Sequence, residues 1–217
     1  MSNALRAVVL DFDGLILDTE MPEFVAWREV YANYGYELDQ GVWTRIIGTQ
    51  DADWDPYTDL ASRLGRPLDR TGLDRIREAR LADLIAAETL RPGVDAWLTE
   101  ARELRLKVGI ATSSSARWVE GHLARLGMRN RFDALATKDD VARTKPDPAV
   151  YREVLRRLRV GADEAIAVED SPNGIAAAKA AGLFCVAVPN ALTEGLDLSR
   201  ADVRYASLAD VTISRLR

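Results

Sequence analysis

The 217-residue chain is poor in three chemistry-bearing residue types, with one cysteine, one histidine and four lysines. A single cysteine excludes an internal disulfide framework and fits a reducing cytoplasm, the location expected for this chain. Cys185 lies in the apolar run Leu183-Phe184-Cys185-Val186-Ala187-Val188 and reads as a small buried hydrophobe. No apolar stretch approaches the roughly 20 residues of a membrane span. The first residues lack the charged-then-apolar layout of a signal peptide. Positive charge is not in excess either, since the net charge is -5 at pH 7, which argues against a nucleic-acid partner. Repeats and low-complexity segments are absent. A composition of 47% apolar and 29% charged residues is that of a globular protein, long enough for one sizeable domain or for a core domain carrying a smaller insert. The chain is expected to act as a monomer on a small molecule.

Ala7-Val8-Val9-Leu10 is a short, continuously apolar run of the kind buried on both faces of a parallel sheet, and it leads into Asp11-Phe12-Asp13-Gly14. From about Pro22 to Glu88 the periodicity is helical. Phe24, Trp27, Val30, Tyr31 and Tyr34 repeat at helical spacing up to Gly35, and further helices are predicted near 42–47, 54–64 and 73–87. Past Arg91-Pro92-Gly93 strands and helices alternate, with strands at 108–111, 134–136, 165–168 and 184–188 and helices at 116–126, 149–158 and 175–181. That alternation implies right-handed crossovers and an α/β, doubly wound, parallel, Rossmann-like sheet. The predicted organisation is a core from residues 1–17 and 89–217, with an all-helical insertion over 18–88.

Ligands of open parallel sheets bind beyond the carboxyl ends of the strands. Asp11 and Asp13, two apart, put two carboxylates on one side of the first strand's tip, which suits a hard cation together with a nucleophile and an acid/base. The strand at 108–111 ends in Thr112-Ser113-Ser114-Ser115, hydroxyls at a helix start that can bind an anion. Lys145 stands in the proline-bracketed loop Thr144-Lys145-Pro146-Asp147-Pro148 and can offset clustered carboxylates. Glu169-Asp170-Ser171 follows the fourth strand directly, and two acids there are costly unless a metal justifies them. Each feature alone admits a plainer reading as a turn, a helix cap or a solvated lysine. Four of them in order on four strand ends converge on one crevice.

The series Asp11-x-Asp13-Gly14, Thr112-Ser113, Lys145-Pro146 and Glu169-Asp170 resembles the four ordered motifs of the haloacid dehalogenase superfamily. The resemblance extends to Asp18-Thr19-Glu20 and to Ser171-x-x-Gly174-Ile175-x-Ala177-Ala178, and the branch it is most similar to is the beta-phosphoglucomutase-like phosphatases. It implies a Mg2+-dependent hydrolase of a small, sugar-phosphate-like monoester. Asp11 would become an aspartyl phosphate and Asp13 would act as acid, then base. Mg2+ would be held by Asp11, the Asp13 carbonyl and Asp170, with Glu169 in or beside its shell. Phosphate would be held by Gly14, Thr112, Ser113, Ser114 and Lys145. The absence of lysine before Lys107 excludes the Schiff base of phosphonate-cleaving relatives, and Asp13 points away from dehalogenases. Glu23 stands where the mutases have a histidine and Asp51 near their cap arginine, while His122 falls in a core helix at the surface. A phosphosugar mutase and a non-catalytic phosphate-binding regulator remain the alternatives. Specificity is expected from Glu20, Glu23, Trp27, the Ile47-Gly48-Thr49 turn and Arg45 or Arg75, with Ser114 and Ser115 on the core side.

Overall fold

A computed structural model of the chain describes residues 4–47 and 54–216. Gly48, Thr49 and Asp51 therefore lie outside the described residues. The chain opens with β1 (Ala7–Leu10), whose four residues are all buried. Four helices follow: α1 (Glu20–Asn33), α2 (Gln40–Trp43), α3 (Pro56–Leu64) and α4 (Arg70–Ala86). The remainder alternates as α5 (Val94–Glu103), β2 (Lys107–Ala111), α6 (Ala116–Arg125), β3 (Ala134–Ala136), α7 (Ala149–Leu158), β4 (Ala165–Glu169), α8 (Pro172–Ala180), β5 (Phe184–Ala187) and β6 (Val203–Arg204).

The strands form one parallel sheet in the order β3-β2-β1-β4-β5-β6. β1 is central, with Val8 beside both Val108 and Ile166. Alternation divides the buried side chains between two layers. Val8, Leu10, Ile110 and Val168 pack with Trp97 of α5 and Val119 and Leu123 of α6. Ala7, Val9, Ala165 and Ala167 face Tyr151 and Val154 of α7 and Ile175 of α8. The strand at β6 was not anticipated; two residues on a half-exposed edge are too short to show a period. α8 begins three residues before the predicted Ile175 because Ser171 caps it, accepting from Gly174 N, with Pro172 in its first turn.

The helical insertion has its own apolar cluster, built on Phe24, Trp27, Tyr31, Trp43, Leu60 and Leu73. Tyr31 is fully buried and donates to Pro56 O at 2.8 Å, tying α1 to α3. The two links between insertion and sheet run side by side. Leu17 pairs with Leu90, and Arg91 N donates to Ile16 O at 3.0 Å. This places the insertion over the carboxyl end of β1. Among the described residues, no helix is long and apolar enough to cross a membrane.

Candidate active site

The site is assembled from the segments that follow β1, β2, β4 and β5, together with the loop before α7. Asp11 N donates to Val168 O at 3.0 Å, extending the β1 ladder by one residue and fixing where its carboxylate emerges. Lys145 Nζ lies 2.6 Å from Asp11 Oδ1 and 2.6 Å from Glu169 Oε1, with the lysine side chain 1% exposed. The same Glu169 oxygen accepts from Tyr151 OH at 2.6 Å. Its other oxygen accepts from Asp170 N at 3.2 Å and from Ser171 Oγ at 3.4 Å. Gly174 makes room for this carboxylate, since any Cβ there would land on it. Asp170 Oδ2 accepts from Asn190 Nδ2 at 2.7 Å, whereas buried Oδ1 has no hydrogen-bond partner. Asn190 Nδ2 also reaches Glu20 Oε2 at 2.8 Å, and its own carbonyl is held by Leu192 N and Thr193 N.

These carboxylates crowd one buried volume: Asp11, Glu169 and Asp170 each offer an oxygen, all within 4.8 Å of one another. The electrostatics follow. Burial, opposed by Lys145 and reinforced by Glu169 and Asp13, pushes Asp11 up to about 8. Burial, with Glu20 and Asp11 nearby, raises Asp170 well above the carboxylate range. Glu20 is pushed up to about 8 by burial, against its Asn190 bond and with Asp13 adding to the rise. For Lys145, burial pulls downward, but Asp11 and Glu169 outweigh it and the ammonium is held more firmly than in water. One ammonium among these acids leaves negative charge uncompensated, and an orphaned buried oxygen on Asp170 faces the same space. A hard divalent cation with oxygen ligands fits that donor set.

Asp13 is set apart from this cluster by its partners. Oδ1 accepts from Thr19 Oγ1 at 2.7 Å and Trp118 Nε1 at 2.8 Å; Oδ2 accepts from Ser114 Oγ at 2.7 Å and Thr112 Oγ1 at 3.3 Å. Ser113, half-buried, sits in the same turn, and Ser115 caps α6 by accepting from Trp118 N. Gly14, expected among the phosphate-binding residues, donates its N–H to Leu17 O at 2.8 Å, and its carbonyl is taken by Arg91 and Asn190. Its contribution is shape: φ is +72°, and a Cβ would fall on Asp170, Asn190 and Glu20.

Asp13 and Ser114 open onto a cavity of about 420 Å³ between core and insertion, walled by Glu23, Trp27, Trp43 and Tyr57. Arg45 and Arg75, expected as anion contacts, are exposed and do not line it. Arg77 lines it instead, with Nη1 2.5 Å from Glu23 Oε1. His122 lies half-buried on the outer side of α6, its ring 4.4 Å from that of Trp118. Four contributors escaped the sequence reading. Asn190 follows β5 and was findable by the same strand-end rule. Trp118 sits one turn past the hydroxyl-rich loop. Tyr151 is hidden on the apolar face of α7, and Arg77 among the many charges of α4.

The sequence profile of the haloacid dehalogenase-like hydrolases matches residues 8–188. The chain belongs to that family. It is similar to YhcW of Bacillus subtilis, with 40% identity over 212 residues covering 98% of this chain and 96% of that one. Similarity to a phosphorylated carbohydrates phosphatase of Thermotoga maritima is 32% over 200 residues, covering 91% of each. Among solved structures, CbbY from Rhodobacter sphaeroides in complex with xylulose-(1,5)bisphosphate superposes with a TM-score of 0.77 at 29% identity, covering 97% of this chain and 98% of that one. The chain is a phosphoric monoester hydrolase of this family.

Proposed function

We propose that the chain is a Mg2+-dependent phosphatase of small phosphorylated carbohydrates that works through an aspartyl phosphate on Asp11. The observation that carries this reading is the juxtaposition of Asp11, Lys145 and the orphaned Asp170 oxygen below a cavity that Asp13 faces. Asp11 attacks phosphorus, and the bond to the leaving oxygen breaks as Asp13 gives that oxygen a proton. Asp13 then takes a proton from the water that cleaves the acyl phosphate and regenerates Asp11. Lys145 holds positive charge against the nucleophile throughout, and Thr112, Ser113 and Ser114 offer donors to the transferred oxygens. Asp11, the Asp13 carbonyl and Asp170 would hold Mg2+, which would neutralise charge on the phosphoryl group. Glu169, with both oxygens already engaged, stands beside it and fixes Lys145.

Residues 18–88 act as a cap over the core of 1–17 and 89–217, shielding the site from water. Hydrolysis is favoured over mutase chemistry because Glu23, at the mutase histidine position, is paired to Arg77. The carbohydrate assignment draws on the Thermotoga relative and on the polar and aromatic walls of the cavity. The test is phosphate release from a panel of sugar phosphates and from p-nitrophenyl phosphate, with Mg2+ and with EDTA. Turnover that needs Mg2+ and vanishes in Asp11→Asn is expected. Full turnover by Asp11→Asn overturns the mechanism.

A further inference from the structure

The cavity above Asp13 has little free positive charge. Its acidic side chains are Asp13, Glu20 and Glu23, and among the described residues its one cationic wall is Arg77. That guanidinium is already shared: Nη1 is 2.5 Å from Glu23, and Nη2 is 3.6 Å from both Asp74 and Glu78. Lys138 lines the adjoining groove and not this cavity, and Arg125 beside it is committed to the carbonyls of Ala86 and Glu88. A leaving group with a second anionic group would have to displace the Glu23 carboxylate from Arg77 and then lie beside it.

Neutral hydroxyls meet the opposite situation. Arg77 lines the cavity, and its five-donor guanidinium gives one hydrogen bond, from Nη1 to Glu23, which leaves donors beside the Glu23 acceptor. The guanidinium is kept in place by the Trp27 ring, 5.5 Å below it, and Trp27 is itself held edge-on by Tyr57 at 4.6 Å. A donor and an acceptor side by side match two adjacent hydroxyls, each of which both gives and accepts. The flanking aromatic rings suit the C–H faces of a polyol.

We propose that the Glu23–Arg77 pair is the specificity element of the site: it binds a vicinal hydroxyl pair on a neutral, polyhydroxylated leaving group and turns away leaving groups that carry a second anionic group. This rests on the phosphatase reading above. The experiment compares kcat/KM, by phosphate release with Mg2+, for a hexitol 6-phosphate, a hexose 1,6-bisphosphate and p-nitrophenyl phosphate. Wild type should favour the hexitol phosphate over the bisphosphate by about tenfold or more. Glu23→Gln removes the carboxylate hydrogen-bonded to Arg77. It should lower the hexitol value by about tenfold, raise the bisphosphate value, and change the p-nitrophenyl phosphate value by less than the hexitol value. Arg77→Met should lower the hexitol value without raising that of the bisphosphate, and serves alone if Glu23→Gln fails to fold. Arg80→Gln, which breaks the exposed pair between Arg80 of α4 and Glu29 of α1, should change none of the ratios. Equal wild-type efficiency on the mono- and bisphosphate, or variants that scale all three substrates alike, overturns this inference while leaving the phosphatase reading intact. Absence of turnover on every substrate defeats both.

Discussion

Replacing Lys145 by methionine isolates the charge at the centre of the buried cluster. The thioether follows nearly the path of the lysine stem, so little cavity is created. What disappears is a cation 2.6 Å from both Asp11 and Glu169, on a side chain 1% exposed. Removing one member of a buried ion pair costs about 3–5 kcal/mol while the partner keeps its charge. The partners respond to pH. Asp11 already titrates near 8 in the folded chain and moves higher without Lys145. Below pH 8 the folded carboxyl carries a proton with or without Lys145, and the penalty is smaller. Above pH 8 the wild-type carboxylate is ionised beside the ammonium, while without Lys145 it must keep its proton or remain a buried unpaired charge. Lys145 itself is held above its usual value, so its own charge does not change over this range, and the pH dependence comes from Asp11. Urea unfolding in EDTA should show Lys145→Met destabilised by about 3–5 kcal/mol at pH 9 and by about 1 kcal/mol less at pH 7. A loss below about 1 kcal/mol at both pH values would refute the claim that Lys145 neutralises this cluster.

Asp11 and Glu20, raised to about 8, hold protons in the folded chain that the unfolded chain releases near 4. Their effect on stability is favourable at low pH and is lost as pH rises toward 8, so the gain in Tm from Mg2+ should grow between pH 5.5 and 8; a gain independent of pH would count against a cation among these groups. Trp118→Phe keeps the ring but removes the donor to Asp13 Oδ1. It should lower kcat by about tenfold with unfolding free energy changed by less than about 1 kcal/mol, and an unchanged kcat would sink the role given to Asp13. Gly14→Ala forces a methyl onto Asp170, Asn190 and Glu20 at φ +72°. The Mg2+ concentration for half-maximal activity should rise by about tenfold or more, and a wild-type value would show that this turn does not shape the metal site.

The sheet was legible because its strands are buried on both faces. Val8, Ile110 and Val168 have no solvent side to satisfy, so each strand reads as an unbroken apolar run. β6 lacks that signal; Val203 and Arg204 pair with β5 at a half-exposed edge. The residues at the strand tips were legible for a different reason. Asp11, Lys145, Glu169 and Asp170 are polar where the layers demand apolar residues, and buried charge without a purpose is costly. The structure brings those four together and adds Tyr151, whose hydroxyl gives Glu169 one of its bonds.

The wall of the cavity was harder to read because nothing local distinguishes its residues. α4 carries Arg70, Arg75, Arg77 and Arg80, and all four suit a solvated helix equally well. Only the fold decides among them: Arg75 faces solvent and Arg80 pairs with Glu29 at the surface, while Arg77 turns toward Glu23 over Trp27. Strand-tip residues act within a frame fixed by backbone hydrogen bonds, so spacing alone places them. Cap residues meet the core through side-chain contacts, such as Asn173 Nδ2 donating to Ile47 O at 3.1 Å and Asn190 Nδ2 to Glu20 Oε2 at 2.8 Å, which sequence spacing does not place. The reacting centre is thus written in short motifs, whereas selectivity is written in a three-dimensional pairing that becomes visible once Glu23 and Arg77, 54 residues apart, share one hydrogen bond.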